Sequence, residues 1–110
     1  MFHKMYVTST DFTYVFYDKI YNENIVSFSS NVITFLKSGK HKLTFMKGQV
    51  NTSFNIRVVI NGTTVQTFTY SNSEAISEFE FSVNQGDTLV LKIDHSNTTT
   101  GWYDSAVLIE

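Results

Sequence analysis

Apolar and polar side chains take turns along most of this chain, and a period of two confines it to extended strands. Phe54, Ile56, Val58 and Ile60 alternate with Asn55, Arg57 and Val59. Phe79, Phe81 and Val83 alternate with Glu78, Glu80 and Ser82, and Leu89, Leu91 and Ile93 with Val90, Lys92 and Asp94. Each run offers one face to a core and the other to water or a partner. No segment carries a helical period, and the absence of proline leaves the strands unbroken.

Turn residues separate the runs. Asn61-Gly62 tolerates positive φ at both central positions of a type I′ hairpin, which places one between Ile60 and Thr63. Lys37 to Lys40 and Asn84 to Asp87 are further turns, and Ser71 to Glu74 and Ser96 to Gly101 are longer loops. Strands are predicted over Phe12 to Tyr17, Ile25 to Phe28, Val32 to Leu36, Lys40 to Lys47, Ser53 to Ile60, Thr63 to Tyr70, Ser77 to Val83, Thr88 to Asp94 and Trp102 to Ile109. Within Thr63 to Tyr70 the phase slips: Val65 falls on one face, Phe68 and Tyr70 on the other. A bulge, or burial on both faces, accounts for the slip. Eight or nine short strands with regular turns predict an all-β antiparallel sandwich of jelly-roll type, one domain over residues 1–110. Hydrophobic residues at 42%, ten Phe and six Tyr among them, are enough to fill its core without disulfides, and the chain has no cysteine to form one.

Composition also narrows function. The net charge is −2 and the eight Lys and Arg are scattered, so no basic stripe addresses nucleic acid. No apolar stretch is long enough to span a bilayer as a helix. The first residues lack the apolar segment of a signal peptide, so synthesis in the cytoplasm is expected. The bias toward Asn, Lys, Thr and Ile matches an AT-rich genome, such as that of a low-GC bacterium or its phage.

The order of motifs resembles a known family. Phe16-Tyr-Asp-Lys-Ile-Tyr-Asn-Glu23 precedes Val32-Ile-Thr-Phe-Leu-Lys-Ser-Gly-Lys-His-Lys-Leu-Thr-Phe45. Val58-Val-Ile-Asn-Gly62, Val83-Asn-Gln-Gly-Asp-Thr-Leu-Val-Leu91 and Gly101-Trp-Tyr-Asp-Ser-Ala-Val-Leu-Ile109 follow. From about Phe16 to Ile109 this is similar to the complement-globular-head and tumour-necrosis-factor superfamily of jelly rolls. The resemblance implies a homotrimer of roughly parallel subunits that bury strand faces around a three-fold axis. Modules of this kind also resemble the appendages of phage virions and bacterial surfaces. It assigns no ligand residues.

Candidate sites follow from residue chemistry. Trp102 and Tyr103 lie beside Asn97 and Asp104, an aromatic plate with amide and carboxylate groups, which is the composition of a sugar-binding site. Packing of Trp102 into the sandwich end is the competing structural reading. Phe12, Tyr14 and Phe16 share one strand face in a segment apolar on both faces, which points to an oligomer interface or to the core. Glu78 and Glu80 have glycosidase-like spacing, but their alternation with Phe79 and Phe81 marks a solvated face. Asp94, His95, Asn97, Gly101 and Asp104 supply calcium-type donors without a defined loop pattern, and they read as a polar loop. His41, in phase with Leu43 and Phe45, reads as a structural histidine with one hydrogen bond. The glycosylation patterns at Asn51, Asn61 and Asn97 are read as chance matches, the middle one explained by its turn. No cofactor or metal site is expected, and no enzyme. The expected function is a binding module of a virion or cell surface. It oligomerises, most simply as a trimer, and presents loops to a surface glycan or another structural protein. The alternative is a monomeric carbohydrate-binding module.

Overall fold

The computed structural model describes residues 2–7, 12–13, 23–47, 54–71, 74–95 and 101–110. They form ten strands: β1 (Phe2–Val7), β2 (Phe12–Thr13), β3 (Val26–Ser29), β4 (Val32–Phe35), β5 (Gly39–Lys47), β6 (Phe54–Ile60), β7 (Thr63–Tyr70), β8 (Ala75–Val83), β9 (Thr88–His95) and β10 (Gly101–Ile109). One sheet has the order β1-β10-β5-β8 and the other β3-β4-β9-β6-β7, with β2 also pairing β9.

Every pairing is antiparallel, and the pairs nest: β1 with β10, β4 with β9, β5 with β8, β6 with β7. That is one long hairpin rolled over itself, the jelly-roll winding. These eight strands are the frame, and β2 and β3 are short additions to its second sheet. The predicted strands from Val32 onward match the frame within about two residues at each end. Of the strand predicted over Phe12 to Tyr17, the described residues include only Phe12 and Thr13. Strand β1 was not predicted. Its sequence, Phe-His-Lys-Met-Tyr-Val, has no clean apolar alternation, and it is set by pairing with β10 over the whole register Phe2↔Ala106 to Val7↔Gly101.

The turns behave as their residues dictate. Asn61 and Gly62 have φ of 50° and 82°, the two positive values that a type I′ hairpin needs. The phase slip is a bulge on β7: Val58 pairs Gln66 while Val59 pairs Thr64, leaving Val65 as the extra residue on an exposed edge.

The core lies between the sheets. Leu43 and Phe45 of β5 and Phe81 and Val83 of β8 face Ile33 and Phe35 of β4, Phe54, Ile56 and Val58 of β6, and Leu89, Leu91 and Ile93 of β9. Burying each such side chain contributes about 1.5–3 kcal/mol. Aromatic contacts among the described residues tie the layers together: Phe35 meets Phe81 edge-on at 5.5 Å between centroids, and Phe45 meets Tyr70 at 5.7 Å. Burial pushes the ionisation of the Tyr70 hydroxyl up to about 12, against a smaller opposing effect of a hydrogen bond with Ser77.

The two ends of the sandwich differ. At one end, three turns share polar bonds. The Asn61 side-chain amide donates to Asp87 at 3.0 Å and its oxygen accepts the Thr88 main-chain N–H at 3.0 Å. The Asn84 N–H donates to Asp87 at 2.8 Å, and the Gln85 N–H to Ser38 at 2.7 Å. Hydrogen bonds from Asn61 and from the Asn84 main chain hold the Asp87 carboxyl below its ordinary range. At the other end, the register brings together the termini of β5, β6, β7, β8 and β9: Lys47 opposite Ala75, and Phe54 opposite both Tyr70 and His95.

Candidate assembly face and ligand end

The aromatic residues predicted to bind sugar lie at that second end. Trp102, Tyr103 and Asp104 belong to β10 and pair with Tyr6, Met5 and Lys4 of β1, so they extend the first sheet beyond Ser105, the partner of Lys47. Asn97 lies outside the described residues, as do Tyr14 and Phe16 of the predicted interface. Phe12 is in β2, opposite Ile93 of β9.

The outward face of the first sheet is divided along its strands. In one half, Lys42 is opposite Glu80 on one side and bonded through the main chain to Glu110 on the other. Its ammonium lies 3.3 Å from the Glu110 carboxylate and 4.0 Å from that of Glu78, and Lys40 meets Glu80 at 2.9 Å. The hydrogen bond from Lys40 holds the Glu80 carboxyl low, and the same bond raises Lys40. Glu78 and Glu80 are both exposed, as the solvated-face reading expects.

In the other half apolar side chains gather beside Glu78. Thr44 is opposite Leu108 and Glu78, and in the next row Met46 is opposite Ala106 and Ile76. Thr44 and Ala106 are buried in the isolated chain, yet Leu108 is 46% exposed and Ile76 69%. Neither residue stood out in the sequence. The signal was phase: Ile76 is in step with Glu78 and Glu80, and Leu108 with Glu110, so each is an apolar side chain on the polar count.

His41 points inward beneath the charged half and is 8% exposed. Its Nδ1 lies 3.1 Å from the main-chain oxygen of Glu110 and its Nε2 3.3 Å from that of Lys37, while the ring packs on Phe35 at 5.0 Å. The residue is structural, with two main-chain contacts where one was expected.

The outward face of the second sheet carries a fork. Arg57 Nε and Nη2 donate to the two carboxylate oxygens of Asp94 at 2.5 and 3.1 Å. Asp94, one of the calcium-type donors, is thus engaged by a guanidinium. Val90 is opposite Val59, a half-buried β-branched pair beside the fork. Among the described residues no group of three or more His, Asp or Glu side chains is arranged to hold a metal.

No protein-family model matches the sequence, and no curated protein matches it. Solved structures do share the fold. Murine APRIL superposes with a TM-score of 0.60 at 14% identity, covering 92% of this chain and 91% of that one. Pika GITRL gives 0.53 at 19% identity over 76% and 79%, and rabbit GITRL 0.52 at 15% over 74% and 75%. These are ligands of the tumour-necrosis-factor family, and the likeness is one of fold.

Proposed function

We propose that this tumour-necrosis-factor-like jelly roll is a non-catalytic module that assembles with copies of itself, most simply as a homotrimer. It does so through the apolar half of the face formed by β10, β5 and β8. The observation that carries this reading is the exposure of Ile76 and Leu108 beside Met46, on a sheet that has used its other face for the core. Isolated exposed apolar residues need no explanation, but neighbours across three strands make a patch that water disfavours. Closed symmetric assembly is the common way to cover such a patch.

Assembly leaves other surfaces for partners. The ligand end around Trp102, Tyr103, Asp104 and Asn97 is proposed to contact a surface glycan or another structural protein, from a scaffold rigid enough to bind without reordering. The setting that fits the composition is a phage virion or a bacterial surface. Light scattering after size-exclusion chromatography tests the assembly. The expected particle mass is three times the 12.6 kDa chain mass. A particle of one chain mass at every concentration overturns the reading and leaves a monomeric binding module.

A further inference from the structure

The hairpin turn Asn61-Gly62 does more chemistry than a turn requires. An asparagine followed by glycine can modify itself. The Gly62 main-chain nitrogen attacks the Asn61 side-chain carbonyl carbon, the side-chain nitrogen leaves as ammonia, and water then opens the cyclic imide. The product is an aspartyl or isoaspartyl residue, and no other reactant is needed. Both residues are exposed, so water reaches the site.

Two features of the fold act on this reaction in opposite ways. Before it happens, the Asn61 amide is held. Its nitrogen donates to Asp87 at 3.0 Å and its oxygen accepts from the Thr88 N–H at 3.0 Å. Its main-chain N–H is also bonded to the Thr88 carbonyl at 3.0 Å. Turning the side chain toward Gly62 breaks the first two bonds. After the reaction, the donor to Asp87 is gone and a carboxylate stands in its place. Two carboxylates at hydrogen-bond distance repel. Asp87 cannot retreat freely, because it also accepts the Asn84 N–H at 2.8 Å. We infer that Asn61 is a self-modification site, a spontaneous deamidation held back by the folded turn network, and that its product loosens the joined turns at this end of the sandwich.

The inference is independent of assembly and ligand. Mass spectrometry of the peptide containing position 61, during incubation at neutral pH, reads the reaction directly. In the folded chain the conversion is expected to be many times slower than in the urea-unfolded chain, since it must await local opening. Asp87→Ala, which removes the acceptor, is expected to speed it in the folded state. Equal rates folded and unfolded, or no effect of Asp87→Ala, overturn the protective role. The second arm is thermal melting of Asn61→Asp. Aspartate tolerates the same turn geometry, so the substitution changes the charge and spares the backbone. Its melting temperature is expected to fall by about 4–8 °C. The double variant Asn61→Asp with Asp87→Asn, which restores a donor facing an acceptor, is expected to recover most of that loss. An unchanged melting temperature in the single variant, or no recovery in the double, overturns the proposed effect of the product.

Discussion

Phe45→Ala is expected to remove about 3–5 kcal/mol of stability, the range for truncating a large aromatic in a core that cannot collapse around the gap. Phe45 is fully buried on β5 and reaches across the sandwich to Tyr70. Strands on both sides fix its backbone, β10 through Val107 and β8 through Ser77, so the layers cannot close on the space. Domains of this size are stable by only about 5–15 kcal/mol, and the loss therefore takes a large part of the total. Urea titration reads it. Thr67→Ala, on the outward face of β7, is the matched control and is expected to change stability by no more than about 0.5 kcal/mol. A loss below about 1 kcal/mol for Phe45→Ala contradicts a dry, interlocked core.

The second large effect is on assembly and not on folding. Ile76→Glu together with Leu108→Glu is expected to reduce the particle to the single 12.6 kDa chain while the far-ultraviolet circular dichroism keeps its strand signature. In the isolated chain both side chains are exposed, so two glutamates there cost little. In an assembly that buries this face they bring unpaired charges into an apolar contact, two per subunit, and each burial costs several kcal/mol. A particle mass that the double substitution leaves unchanged places the contact elsewhere.

These two predictions mark what was legible in the sequence and what was not. Phe45 could be placed in the core because alternation is a local property. Leu43 and Phe45 share a phase, and the outcome is the same for any partner sheet. The phase slip at Val65 was legible for the same reason, since Val65 breaks step with Phe68 and Tyr70, and the register decides between a bulge and burial on both faces. The Asn61-Gly62 turn followed from backbone sterics alone. Strand β1 was not legible, because its place comes from pairing with β10, almost a whole chain length away. The second contact of His41 was hidden for a similar reason: its Nδ1 meets Glu110, which only the winding brings near. Ile76 and Leu108 were hidden because each is a single residue out of keeping with its phase. Only the register shows that Ile76 lies beside Met46 and that Leu108 lies in the adjacent row.

The absence of cysteine gives the assembly face a clean reporter. A thiol placed by Ile76→Cys sits within the proposed contact, and one placed by Thr67→Cys sits on the opposite sheet, facing outward. Each is a single reactive group, and the smaller apolar side chain of cysteine preserves the character of the patch. The measurement is the rate of thiol modification as chain concentration is raised. Modification at position 76 should slow as assembly proceeds, while modification at position 67 stays constant. Rates that remain equal and fast at both positions, at every concentration, contradict assembly through this face.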